Sequence, residues 1–326
     1  MKLPANFRRL GGLLEIGGRT AEQLRADCRA LRDAGFHEAY LGDPFLAFAP
    51  RDAADAVFVE SAGALVLRSE SELAAVRDIV HAAGLALDGA HYNQVLPPPG
   101  EFPCAWLDAY HDAMLDRAEV LGLRRVTTHP GWMFGSAEER CTGDAARVFA
   151  AREIDLTELN RRAQLVYGGD AALWRDSVAV YRRLCARAAR IDVTVTLETA
   201  ISEWYDLTLH PERMRAFIGE VGAPNLAICI DSGHCHLNGL NVASVITACG
   251  DLLAETHFHD NHGARDEHNP IGDGTIDWPS VIRALADVGY PGSITFEQRN
   301  HALNAARWTT ILGQMESPSS SSSSRT

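Results

Sequence analysis

A chain of 326 residues, 46% hydrophobic and 22% charged, is long enough to bury one large core and polar enough for a soluble globular protein. It has no run of about eighteen apolar residues, which argues against a membrane span. Its 30 Lys and Arg against 43 Asp and Glu leave a charge of −13 with no dense basic stripe, which argues against a nucleic-acid partner.

The opening MKLPANFRRLGG lacks the apolar centre of a secretory leader, which points to the cytoplasm. Seven cysteines, at 28, 104, 141, 185, 229, 235 and 249, form no CxxC pair and read as reduced packing thiols.

In chain order, eight short apolar or β-branched runs read as strands. They are RLGGLLEI (9–16), HEAYLG (37–42), LALDGAHY (85–92), RRVTTHP (124–130), DVTVTLET (192–199), LAICIDSG (226–233), LLAETHFHD (252–260) and GSITFEQ (292–298). Between them the periodicity predicts helices, as in 20–35, 71–84 and 278–292. In the last of these Asp277 caps the helix, Pro279 suits its first turn, and Gly289 and Pro291 end it.

Eight βα units predict an α/β single-domain (β/α)8 barrel over 1–316, with an open doubly wound sheet as the alternative. Residues 131–170 are too long for an ordinary βα loop, include the helical stretch DLTELNRRAQLV, and are expected to form a lid after the fourth strand. Residues 317–326, Ser-rich, lack apolar surface to bury and are expected to be disordered.

Barrel strands present catalytic groups at their C-terminal ends. The third predicted strand ends with His91, the fourth with His129, the fifth with Glu198, and the sixth with Asp231, followed by His234. The seventh ends with His257 and His259, the eighth with Glu297, and Asp266 and His268 follow in the loop HFHDNHGARDEH (257–268). Singly, each has an ordinary reading as a hydrogen-bonded strand end, a helix cap or an arginine partner. Together, several carboxylates at one barrel mouth repel one another, and a divalent cation removes that conflict. Zinc or manganese suits these ligand types, with magnesium or cobalt also compatible.

Alternation along a strand turns His257 and His259 the same way, so the two compete for the inner role, with Phe258 packed outward. Asp260, Asn261 and Gly263 turn the chain so that Asp266 and His268 fold back. Trp132, Phe134, Trp204 and Tyr205 lie beside strand ends, where stacking on a sugar ring competes with core packing. Arg265 and Arg299 are candidate phosphate partners but read better as solvent-facing.

The segments LET (197–199), CIDSGH (229–234), HFHDN (257–261), DEHNPIGDGTIDW (266–278) and TFEQ (295–298) resemble the xylose-isomerase-like superfamily. It joins sugar isomerases and epimerases with endonuclease-IV-type phosphodiesterases, and the likeness runs from 9 to 313. The resemblance implies a metal held by Glu198, Asp231, His257 and Glu297. It also implies that Glu198 and Glu297 shuttle a proton and that His234 contacts substrate.

In the isomerase or epimerase branch, the metal polarises a carbonyl and acidifies the neighbouring C–H. One glutamate then removes the proton and the other returns it. His91, His129, Trp132 and Trp204 would bind a small carbohydrate. The nuclease branch uses nine ligands for three zinc ions, and His91, His129, Glu198, Asp231, His234, His257, Asp266, His268 and Glu297 occupy all nine positions. That makes a multinuclear zinc hydrolase of a small phosphodiester the alternative, ahead of a non-catalytic metal-binding barrel. Acidic charge and the 131–170 segment favour sugar chemistry. A homo-oligomer is compatible with the sequence.

Overall fold

The computed structural model describes residues 2–42, 44–50, 56–60, 63–92, 105–129, 170–199 and 210–317. Most of the expected 131–170 lid, with Trp132 and Phe134, lies outside these residues, as do Trp204, Tyr205 and 318–326.

Eight parallel strands make one sheet: β1 (Leu10–Glu15), β2 (Glu38–Gly42), β6 (Ala86–Tyr92), β7 (Arg125–Thr128), β8 (Thr194–Glu198), β9 (Leu226–Asp231), β10 (Leu253–His257) and β11 (Ile294–Phe296). Their order is β10-β9-β8-β7-β6-β2-β1-β11. The two end strands meet. Phe258 N donates to Thr295 O at 2.8 Å and Glu297 N to Phe258 O at 3.2 Å, with a parallel bridge between Phe258 and Phe296. The sheet therefore curls into a barrel, and the open doubly wound alternative is set aside.

Helices α1 (Ala21–Asp33) and α2 (Glu70–Ala82) begin in reciprocal capping boxes, Thr20 with Gln23 and Ser69 with Glu72, which satisfy first-turn N–H groups. The other described α-helices are α3 (Ala105–Leu121), α4 (Asp170–Ala188), α5 (Pro211–Val221), α6 (Ser232–Leu237), α7 (Val242–Cys249), α8 (Trp278–Asp287) and α9 (His301–Glu316). Asp277 caps α8, accepting from Ser280 N at 3.3 Å, as its sequence predicts. None of the described helices is long and apolar enough to cross a membrane.

The core is one continuous cluster between strands and helices. Leu14, Leu41, Val126, Val195, Ile228 and Ile294 belong to the strands, while Leu31, Val80, Met114, Phe217, Ile246 and Trp308 pack from the helices. Phe258 is fully buried edge-on against Trp278, with ring centroids 5.3 Å apart, so it packs outward between barrel and helices. The five described cysteines are buried thiols, consistent with a packing role.

Two features depart from the sequence reading. A three-stranded antiparallel sheet of β3 (Leu46–Ala49), β4 (Ala56–Glu60) and β5 (Gly63–Leu67) follows β2. Its runs are four or five residues long and no helix follows each one, so a search for βα alternation passes over them. The sixth predicted strand also overruns: it ends at Asp231, and Ser232–Leu237 is helical. Asp231 causes the switch, because its carboxylate accepts from His234 N at 2.7 Å and so acts as an N-cap.

Candidate active site

The barrel gathers the strand-end residues at one rim. Glu198, at the end of β8, is fully buried. Its Oε2 lies 3.1 Å from His129 Nε2 and 3.6 Å from His91 Nε2, and its Oε1 lies 3.3 Å from His257 Nδ1 and 3.6 Å from His234 Nδ1. Glu297, just past β11, places Oε1 3.0 Å from His91 Nε2 and Oε2 3.4 Å from His257 Nδ1. Two carboxylates from separated strands therefore converge on the same two imidazoles.

His257 and His259 do not compete. Both are fully buried and inward, but each has its own neighbours. His257 faces Glu198 and Glu297, while His259 Nε2 lies 3.0 Å from both Asp231 oxygens. β10 ends at His257, and the chain beyond it follows a loop that carries His259 over to Asp231 on β9. Ser232 supports that crossing, accepting from His259 N at 3.0 Å and donating to His259 O at 2.6 Å.

Asp266 and His268 fold back as expected. The rings of His259 and His268 stack in parallel with centroids 3.8 Å apart. His268 Nδ1 donates to Glu297 O at 3.0 Å, and its Nε2 lies 3.0 Å from Asp266 Oδ2. His234 Nε2 is 3.7 Å from the same Asp266 oxygen. Arg265 is exposed, and Arg299, largely exposed, pairs with Glu15 at 3.4 Å, so both face solvent.

Sequence reasoning missed three supporting residues, Thr199, Tyr40 and Glu255, and read Asp260 only as part of a turn. Thr199 accepts from Asp231 N at 2.8 Å through its hydroxyl and from His234 Nδ1 at 3.0 Å through its carbonyl, fixing the Asp231 backbone and the His234 ring. Asp260, fully buried, accepts from Trp278 Nε1 and Gly272 N at 2.8 Å each, which ties the loop down. Tyr40 and Glu255 lie in the barrel interior close to His257. Glu255 was legible in principle, because it shares strand parity with His257.

The electrostatics reflect crowding. Burial alone would raise the Glu198 and Glu297 carboxyls, but His257 and the other nearby imidazoles hold both well below the usual range. Burial disfavours a charged His257, yet the acidic groups around it (Cys229, Tyr40, Glu198 and Glu297) keep its pKa well above the ordinary value. His268 rises to about 9: burial opposes the charge, and Asp266 and Glu297 outweigh it.

Positive charge is thus demanded at this rim. Several possible ligand groups have their ligand atoms within 4.8 Å of one another, among them His91–Glu198–His257–Glu297 and Asp231–His259–Glu297, with Cys229–Glu255–His257 below the rim. Another joins Glu198, Asp231 and His234, and one more joins His234, His259, Asp266 and His268. Among the described residues, buried His257 has no hydrogen-bond partner on either ring nitrogen, although Nδ1 points at two carboxylates. An imidazole lone pair beside anionic oxygens is the donor set a divalent cation takes.

Comparison with known proteins agrees with this architecture. A ketose 3-epimerase of Arthrobacter globiformis is 26% identical over 144 residues, 44% of this chain and 48% of that protein. An L-ribulose 3-epimerase of Methylomonas sp. (strain DH-1) is 30% identical over 124 residues, 37% of this chain and 41% of that one. Each match thus spans less than half of the relative's length. Among solved structures, a D-tagatose 3-epimerase-like protein superposes with a TM-score of 0.64 at 16% identity, covering 94% of this chain and 96% of that chain. An L-ribulose 3-epimerase gives 0.62 at 16% identity, covering 94% and 95%. At such identity the likeness is one of fold. The family described as the xylose isomerase-like TIM barrel matches residues 69–315, most of the chain, and this protein belongs to that family.

Proposed function

We propose that this protein is a divalent-metal-dependent sugar epimerase that inverts a carbon next to the carbonyl of a small ketose. The observation that carries the reading is the convergence of Glu198 and Glu297 on His257 Nδ1, at 3.3 and 3.4 Å, from β8 and the end of β11. The relatives named as ketose and ribulose 3-epimerases supply the substrate class.

Glu198, His257 and Glu297, which share one ligand group, would hold the cation together with Asp231, which meets Glu198 beside His234 and Glu297 beside His259 rather than in the His257 group, and zinc or manganese suits them. Bound there, the cation would polarise the substrate carbonyl and acidify the adjacent C–H. Glu198 and Glu297 flank that position from separate strands. One carboxylate removes the proton from carbon, and the other delivers a proton to the opposite face, which inverts the centre. Neighbouring imidazoles hold both ionised in the resting site, so either can act as the base, and the second must take up a proton, as Glu297 would from His91 at 3.0 Å, before it delivers one to carbon. His91 and His129 lie against the two glutamates and would hold substrate hydroxyls. His234, kept in place by Thr199, would donate to the developing oxyanion.

A multinuclear zinc phosphodiesterase is the second reading, favoured by the His234–His259–Asp266–His268 group at the same rim. A panel of free ketoses and small phosphodiesters offered to the metal-loaded protein separates the two. Formation of a ketose epimer supports the first; phosphodiester cleavage without epimer overturns it. Elemental analysis giving about one ion per chain fits epimerisation, and two or three zinc ions fit the hydrolase.

A further inference from the structure

Beneath the candidate site the barrel buries a carboxylate that the chemistry above does not use. Glu255 lies two residues before His257 on β10, on the same face, and is 1% exposed. Taking a carboxylate out of water costs several kcal/mol unless hydrogen bonds and charge offset it. Three neighbouring strands arrange that offset. Thr127 on β7 and Thr196 on β8 donate their hydroxyls to Oε2 at 2.7 and 2.8 Å. Arg125 Nε on β7 lies 3.8 Å from Oε1. Gly89 on β6 leaves the space: a Cβ there would stand 3.2 Å from Glu255 Oε1 and 3.2 Å from the Tyr40 ring.

With Oε2 fixed by two hydroxyls, Oε1 faces the His257 imidazole, 3.8 Å from Nε2. Tyr40 packs edge-on against the same ring, with centroids 4.5 Å apart, and limits its rotation. The ring therefore has one end toward Glu255 and the other, Nδ1, toward Glu198 and Glu297. An ionised carboxylate only accepts hydrogen bonds, so Glu255 favours a proton on Nε2, and a cation held by Glu198 and Glu297, which lie 3.3 and 3.4 Å from Nδ1, displaces the proton those two would otherwise draw to Nδ1. That leaves the Nδ1 lone pair for the rim.

We propose that Glu255 is a positioning residue for His257: it selects the Nε2–H form and aims the Nδ1 lone pair at the space between Glu198 and Glu297. The inference rests on the reading of His257 as a cation ligand. Carboxylates behind ligating imidazoles orient the ring and raise its basicity, and their loss weakens metal binding by about 10- to 100-fold. Arg125 alone does not explain the carboxylate, because Arg125 also pairs with Asp88 and its distance to Glu255 is no shorter than that of His257.

The test is zinc affinity, by chelator competition, for the full-length wild type and for Glu255→Gln, Glu255→Leu and His257→Ala. It is paired with 15N spectra of the zinc-loaded, histidine-labelled protein. Glu255→Gln keeps an acceptor and the hydroxyl contacts, so it should lose about 10-fold in zinc affinity, and Glu255→Leu about 100-fold. The wild-type spectrum should show His257 protonated on Nε2 and ligating through Nδ1. Should the leucine variant fail to fold, the glutamine variant and the spectrum still decide. Zinc affinity within twofold of wild type in folded Glu255→Gln, or ligation through Nε2, overturns the inference. If His257→Ala meanwhile loses zinc, the metal-site reading survives alone; a wild type that binds no zinc overturns both.

Discussion

Asp260 Oδ2 accepts a hydrogen bond from Trp278 Nε1 at 2.8 Å, joining the first turn after β10 to the start of α8. The same carboxylate takes the N–H groups of Gly272 at 2.8 Å and, through Oδ1, Asn261 at 2.9 Å and Ile276 at 3.3 Å. One fully buried side chain thus closes the loop that carries Asp266 and His268 back over the rim.

Replacing Asp260 by Ala leaves several buried donors unsatisfied. Each such group costs about 1–3 kcal/mol, so Asp260→Ala should destabilise the protein by about 3 kcal/mol or more. Urea unfolding measures this. A loss under about 1 kcal/mol would show that the loop does not depend on this clamp.

Glu198→Gln and Glu297→Gln keep shape and remove the base. At saturating metal, each should lower kcat by about 10²- to 10⁴-fold, the usual contribution of a positioned proton-transfer group. Steady-state kinetics on a converted ketose checks it. Equal activity in either variant would remove that residue from the proton transfer.

Gly233 opens α6 directly under the His259 ring, and a Cβ there would overlap imidazole atoms. Gly233→Ala should therefore displace His259 from Asp231 and destabilise the fold by about 1–3 kcal/mol, the usual cost of overpacking. Thermal unfolding of the metal-free protein reads the stability cost, and a crystal structure of the variant reads the displacement.

The pH response of the metal-free protein follows from Glu255. Its pKa stands at about 2 against an ordinary 4.5: burial pushes it up, and His257, Arg125 and Thr127 outweigh burial. A depressed pKa stabilises the fold above the unfolded value and loses that contribution as pH falls toward the folded one. Wild type should therefore lose about 3 kcal/mol between pH 4.5 and 2 from this group. Glu255→Gln should show a shallower decline over that window in urea unfolding at stepped pH. Parallel declines would contradict the assignment.

The barrel and most of its rim were legible in the sequence because both obey strand periodicity. Apolar runs such as LAICID end in the polar residue that the strand delivers to the C-terminal rim, and Asp231 is found there, buried. The partition of His257 and His259 was not legible. Alternation sends both inward, but their partners depend on where β10 stops and on the cap that Asp231 makes for α6. Glu255 escaped notice because an acid inside an apolar strand reads as an outward residue until Thr127, Thr196 and Gly89, distant in sequence, are seen around it. The β3–β5 sheet escaped because antiparallel pairing is set by contacts between short runs rather than by period.

The central claim, two-base epimerisation at the carbon beside a ketose carbonyl, is tested most directly by isotope exchange in heavy water. The metal-loaded protein should place deuterium on the inverted carbon at the rate of epimer formation, and Glu198→Gln and Glu297→Gln should suppress the epimer. Epimer formed without deuterium at that carbon, or phosphodiester cleavage with no exchange into any ketose, would contradict the account.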